Sequence, residues 1–495
     1  MHDTTARLRE RFREIHDLGE IQQLLEWDQQ VVMPPRGTGQ RGTQMAALAG
    51  LIHARMTDPA VGELLAALEA HPGEDDLLQA DIREARRAYD RAVKIPADLV
   101  TARAEACALA QSAWVEAREK NDFALFRPHL ERVVDLTRQV AAAIGTPDPY
   151  DSLLDEYEPG MTAAALRELF GGLRPRLVAL LERIQAAPRR PDPSVLQRPC
   201  PAAAQEAFCR RLMADQGYDL SAGRLDVSAH PFTSGTFADV RITTRYNETY
   251  LPTALFGLLH EAGHALYEQG LDPERYRDPA GGFCSLGIHE SQSRFWENVV
   301  GRSRPFWRHY YPLLRQAFAG VFDDVPEDDF YRAVNTVSPS LIRVEADEVT
   351  YNLHIILRFE LETMLTDGTL AVADLPAAWN ERVNAFLGIT PPSDKKGVLQ
   401  DIHWSAGAIG YFPTYALGNL YAAQFAAALR RELPLDELLS RGELRPVKTW
   451  LNEKIHRAGR RWLAPELCQR VTGEPPSAEP AIRYLESKYA EIYGF

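Results

Sequence analysis

The segment LPTALFGLLHEAGHALYEQGLDP holds His260, Glu261 and His264 in the pattern H-E-x-x-H. Two imidazoles four residues apart on a helix share a face and can grip one metal ion, and the glutamate between them can act as a general base toward water. With 13 histidines and 69 acidic residues among 495, chance supplies roughly 0.05 such patterns in a chain of this length. The pattern therefore favours a metal site over a pair of core histidines.

A hydrolytic metal site takes a third protein ligand and keeps one position open. The metzincin continuation would put Gly at 267 and His at 270, but Tyr267 and Gly270 stand there, which excludes that class. A glutamate from a later helix is the alternative. In GIHESQSRFWENVVGRS, Ile288, Phe295, Trp296 and Val299 mark one apolar face, and Glu290, Arg294 and Glu297 lie together on another. Glu290 is the preferred ligand, and spacing alone leaves Glu297 open. Two histidines and one glutamate accept one divalent ion, Zn2+ first, with Co2+ or Mn2+ as alternatives.

The elements that must position these groups are mostly helical. Leu255, Leu258, Leu259, Ala262 and Leu266 form an apolar face around the motif, with Pro252 near the start and Gly270 near the end. Upstream, Leu8, Phe12, Ile15, Leu18, Ile21 and Leu25 recur at helical steps, as do apolar residues in 78–119 and 126–144. MPPRGTGQRG at 33–42 interrupts the first of these and predicts a helical hairpin. The clearest strand is 239–246, where Val240, Ile242, Thr244 and Tyr246 alternate with polar partners. Prolines concentrate in 186–204, a surface connection that divides an N-terminal helical layer, 1–185, from a metal-binding catalytic part, 205–495, within one catalytic unit.

Composition bounds the partners. A net charge of -14 argues against nucleic acid, and no run of about 18 apolar residues argues for a membrane. Five scattered cysteines without a CxxC pair, and a charged N-terminus without an apolar signal core, predict a cytoplasmic protein.

Six ordered motifs carry a resemblance over nearly the whole chain: HPF at 230–232, DVRIT at 239–243, HEAGH at 260–264, HESQ at 289–292, IRVEAD at 342–347 and GVLQDIHW at 397–404. In these the sequence resembles the carboxypeptidase Taq family of metallocarboxypeptidases. The resemblance implies a mainly α fold, a helical two-subdomain molecule around a deep active-site groove, with a small β-sheet next to the metal helix. It also implies a homodimer, peptide substrates with a free C-terminus, and Glu290 as the third metal ligand. A more distant similarity is to angiotensin-converting-enzyme-like peptidases.

A C-terminal exopeptidase must recognise a carboxylate, for which the planar arginine fork is best suited. Arg343 and Arg241 are the candidates. Arg343 stands four before Asp347, a spacing that also predicts an internal salt bridge; its match to the family's IRxxAD motif favours the substrate. On the same resemblance His230 would hydrogen-bond a substrate carbonyl. His403 and Tyr411 fall in a glycine- and aromatic-rich stretch, 397–421, without a clean period; both can donate to an oxyanion, with Tyr415 the nearby alternative. The expected reaction is hydrolysis of the C-terminal peptide bond by metal-activated water, with Glu261 as base. An oligopeptidase or dipeptidase with the same metal core is the rival enzyme, and a non-catalytic helical peptide-binding scaffold the rival of another class.

Overall fold

The computed structural model describes residues 2–495. The fold is mainly helical with one small sheet, and the chain forms two compact units. One comprises the described residues to Val93 with Asp192–Val334 and Phe425–Gly473; the other comprises Lys94–Pro191, Asn335–Gln424 and Glu474–Phe495. The change of unit after Pro191 falls inside the proline-rich connection. Among the described residues no helix is long and apolar enough to cross a membrane.

The first unit opens with the hairpin of helices His2–Val31 and Thr38–Met56, joined through Pro34 and the 3-10 turn Pro35–Gly37. Of the apolar stripe on the first helix, Leu8 and Phe12 are buried against Val61, Leu64, Leu65, Leu68, Ile82 and Ala85. Ile21 remains 48% exposed. Leu8 and Phe12 are thus covered where helices Pro59–Glu69 and Asp76–Lys94 pack on them.

The sheet has order β1-β3-β2, with β1 Gly223–Val227 parallel and β2 Thr233–Ser234 antiparallel to the central β3, Val240–Thr244. β3 is shorter than the alternating stretch 239–246, and Thr243 is buried as well as Val240, Ile242 and Thr244. A central strand covered on both faces has no polar side to show. The Thr243 hydroxyl oxygen instead accepts from Phe232 N at 2.9 Å and lies 2.7 Å from Ser228 Oγ. The sheet packs on the histidine-bearing helix, Pro252–Gln269. Next comes helix Leu286–Arg294, which widens into a π-helical segment, Phe295–Val300.

The stretch 78–119 proves discontinuous: one helix ends at Lys94, where the first unit gives way to the second, and the next, Ala97–Lys120, starts after Pro96. Proline removes a donor and forces its predecessor out of the helical region. Helix Tyr351–Asp367 is almost wholly buried. Within 397–421 only the part before Pro413 is irregular, since helix Pro413–Glu432 begins there and carries Tyr415. Proline's fixed φ suits a first helical position.

Candidate active site

The helical period puts His260 and His264 on one face of Pro252–Gln269, ring centroids 4.9 Å apart. A ligand atom of each and one of Glu290 lie within 4.8 Å of one another. Glu290 Oε2 is 3.7 Å from His260 Nε2 and 3.4 Å from His264 Nε2. Tetrahedral coordination with bonds of about 2.0–2.1 Å has edges of about 3.3–3.4 Å, so these donors fit one small divalent ion.

What lets the two segments approach is Gly263, inside the motif. A Cβ there would meet the Gln292 carbonyl oxygen at 2.4 Å and Ser293 Cα at 2.5 Å. Only glycine allows the backbone of Leu286–Arg294 so close, and that closeness brings Glu290 to the imidazoles.

The other ring nitrogens are occupied too. Glu297 Oε2 lies 3.0 Å from His260 Nδ1. His264 Nδ1 faces His289 Nδ1 at 2.5 Å, and His289 Nε2 faces Glu268 Oε1 at 2.8 Å. Thr236 Oγ1 donates to the second oxygen of Glu268 at 2.5 Å. A carboxylate only accepts, so His289 donates from Nε2 to Glu268, and the two facing Nδ1 atoms of His264 and His289 share one proton. His260 Nδ1 thus donates to Glu297, and the Nε2 atoms of His260 and His264 both face Glu290 Oε2. Orienting partners of this kind are the usual support of metal-binding histidines.

Arg294 donates from Nε to Glu290 Oε1 at 2.7 Å and from its fork to Glu297 Oε2 at 3.2 Å. Burial pushes the Glu297 carboxyl up, but Arg294, His260 and Arg302 outweigh it and hold it at about 2. Burial first, then the neighbouring histidines, bring His264 down to about 3, so its ring is neutral. Glu261 is buried, which raises its carboxyl above the ordinary value. On β2, the Thr233 hydroxyl bonds Glu261 at its carboxylate, Oε2, 2.8 Å away, and at its main-chain oxygen, 2.9 Å away. The sheet's part in the site is therefore to hold Glu261.

In the second unit, Arg343 lies in a 3-10 turn, Arg343–Glu345, and not in an α-helix, so the i,i+4 pairing with Asp347 does not form. Asp347 instead accepts from Ser338 N, Val349 N, Thr350 N and Thr350 Oγ1. Arg343 donates to Asp401 Oδ1 at 3.0 Å and to the Tyr351 hydroxyl at 3.1 Å, while Arg358 donates to Asp401 Oδ2 at 2.8 Å. Arg343 is 5% exposed and Arg358 0%. Burial and the arginines bring His354 to about 3 and His403 to about 4, so both are neutral. Two guanidinium groups thus hydrogen-bond one carboxylate, and Arg358 is also drawn toward a second buried carboxylate, Glu362.

The structure also gathers His403, Tyr411 and Tyr415. His403 Nε2 is 3.3 Å from the Tyr415 hydroxyl, and the Tyr411 ring centroid lies 5.5 Å from that of His403 and 5.3 Å from that of Tyr415. Arg241 is committed to Asp239 through two 2.8 Å bonds and stacks over Trp27 at 4.3 Å. His230 is exposed between β1 and β2, its carbonyl accepting from Ser228 Oγ at 2.6 Å. Sequence reasoning missed Thr233, Gly263, Glu268, Asp401 and the role of His289. HESQ and QDIHW, which contain His289 and Asp401, were the available signals.

Comparison with known proteins gives the class first. A crystal structure of an M32 carboxypeptidase from Deinococcus radiodurans R1 superposes with a TM-score of 0.96 at 43% identity, covering 100% of both chains. The sequence is 50% identical over 497 residues to thermostable carboxypeptidase 1 of Thermus thermophilus, covering 97% of each, and 39% identical over 487 residues to carboxypeptidase 1 of Bacillus subtilis, again 97% of each. The fold and these relatives define a metallocarboxypeptidase, a peptide hydrolase. The family model for the carboxypeptidase Taq (M32) metallopeptidases matches residues 7–489, and the chain belongs to that family.

Proposed function

We propose that this enzyme releases the C-terminal residue of peptides, with a single divalent ion held by His260, His264 and Glu290 and with Glu261 as general base. Two imidazole nitrogens and a carboxylate at tetrahedral spacing support zinc as the ion, with Co2+ or Mn2+ able to replace it. When bound, the ion supplies a Lewis acid that polarises the scissile carbonyl and acidifies water. The chain's own residues do the rest. Glu297 keeps the proton of His260 on Nδ1, and the Glu268–His289 pair orients His264 through its Nδ1. Glu261 takes the proton of the attacking water and returns it to the leaving amine, its Oε2 steadied by Thr233. His403 and Tyr411, with Tyr415 as alternative, donate to the developing oxyanion.

The observation that carries the exopeptidase reading is the buried Arg343, which shares the carboxylate it bonds, Asp401, with Arg358. A cation in low dielectric demands an anion, and Asp401 serves both arginines at once. A peptide's terminal carboxylate is a further anion for this pair, and Arg343, whose Nε and Nη2 lie on Asp401 while Nη1 donates to the Tyr351 hydroxyl, is its receptor. Arg241, already bidentate to Asp239, is the weaker candidate, and His230 is assigned to a substrate carbonyl by its motif. The same reading has the enzyme act as a homodimer in the cytoplasm, in keeping with five free cysteines.

The test is to incubate the metal-loaded enzyme with peptides free or blocked at either end and read the product termini by mass spectrometry. Stepwise loss of single C-terminal residues, abolished by C-terminal amidation, is expected. Dipeptide release or internal cleavage would move the assignment to an oligopeptidase of the same metal core, and intact peptides would leave a binding scaffold.

A further inference from the structure

Glu362, on helix Tyr351–Asp367, is 0% exposed, yet among the described residues it has no ion-pair partner. Three neutral donors converge on it instead. Trp404 Nε1 donates to Oε1 at 2.8 Å; the Tyr150 hydroxyl, at 2.8 Å, and Gly410 N, at 3.1 Å, donate to Oε2. Burial pushes its carboxyl up to about 7 in spite of these donors. Apolar side chains would fill this place at lower cost to stability, since an unpaired carboxylate is expensive to bury. The placement of the donors suggests what the group is for. Trp404 follows His403, and Gly410 precedes Tyr411, so one carboxylate ties both ends of the irregular segment between the two proposed oxyanion donors. That segment has no helical or strand ladder of its own, and it turns through Gly407 at φ 72° and Gly410 at φ 94°. Tyr150, on helix Pro149–Leu154, anchors the carboxylate through the oxygen that Gly410 also bonds.

We propose that Glu362 is a positioning residue, which sets the spacing of His403 and Tyr411 by binding Trp404 and Gly410 to one anchored carboxylate. The inference rests on the reading of His403 and Tyr411 as oxyanion donors. Glutamine is a discriminating replacement because its shape is kept while its donor pattern conflicts. Its NH2 must face either Trp404 Nε1–H or Gly410 N–H, neither of which can accept, so each amide orientation leaves one clash of donors.

The test is a set of steady-state measurements on Glu362→Gln, Tyr150→Phe, His403→Ala and Tyr411→Phe, singly and with each of the first two placed in the His403→Ala/Tyr411→Phe background. Glu362→Gln is expected to lower kcat roughly 10–100-fold, the scale of a misplaced catalytic group, with KM and metal content unchanged. Tyr150→Phe, which removes one donor of three and is less demanding on folding, should lower kcat in the same sense by less. Both losses should vanish in the background lacking the two donors. Losses that persist there at full size would show a general structural role and overturn the inference, as would a silent Glu362→Gln. If His403→Ala and Tyr411→Phe are themselves without effect, the oxyanion reading fails first and takes the inference with it.

Discussion

Replacing Gly263 by alanine should uncouple the histidine helix from the glutamate that faces it. The added Cβ would lie 2.4 Å from one backbone atom and 2.5 Å from another, where ordinary contact begins at 3.4 Å. The two segments must then part by about 1 Å. Overpacking of this kind costs about 1–3 kcal/mol, offset in part by the roughly 1 kcal/mol that alanine gains over glycine in a helix. Stability should therefore fall only moderately. The metal site is less forgiving, because ligand distances tolerate only about 0.2 Å, and Glu290 sits on the far side of the gap. A displacement of this size should weaken metal binding at least as much as the loss of an orienting hydrogen bond, about 10–100-fold. The assay is chelator competition for Zn2+ or Co2+, with thermal unfolding of the metal-free protein alongside. Gly257→Ala on the same helix is the control, since its Cβ would meet nothing nearer than Pro231 Cγ at 3.9 Å. Equal metal affinities for the two variants would refute the close-approach reasoning.

Other outcomes follow from the same geometry. Glu261→Gln should keep its metal and lose turnover by about 10²–10⁴-fold; metal lost in proportion to activity would make Glu261 a ligand. Thr233→Val removes a donor to ionised Glu261, so the carboxyl's pKa rises further and the acid limb of the kcat/KM profile should move to higher pH; a limb that stays put would detach Thr233 from the base. Glu290→Ala should abolish metal binding, whereas Glu297→Ala and His289→Ala, which remove orienting partners, should weaken it by about 10–100-fold. Equilibrium dialysis giving the reverse order would exchange the roles of Glu290 and Glu297.

Legibility in the sequence tracked how local each determinant was. The histidine pair was readable because period and motif lie within five residues. Glu290 and Glu297 could not be separated by spacing because the chain passes into a π-helical turn after Arg294, which alters the angular step that an α-helical count assumes. Arg343 gave a wrong pairing for a similar reason, since a 3-10 turn does not put positions i and i+4 on one face. β1 went unseen because only Leu225 of its five residues is buried, and β2 because two residues carry no alternation. Thr233, Gly263, Asp401 and Glu362 owe their significance to partners 28 to 212 residues away, which no local pattern encodes.

Whether Arg343 reads the terminal carboxylate of the substrate is tested most directly by kcat/KM for one peptide as free acid and as C-terminal amide, measured with wild type and Arg343→Ala at equal metal content. Truncating one partner of a buried charge pair costs about 2–5 kcal/mol. Wild type should prefer the acid strongly, and Arg343→Ala should lose most of that preference while the amide rate changes little. An acid-to-amide ratio that survives Arg343→Ala would contradict that role, and a collapse produced by Arg241→Ala instead would place the carboxylate receptor on β3.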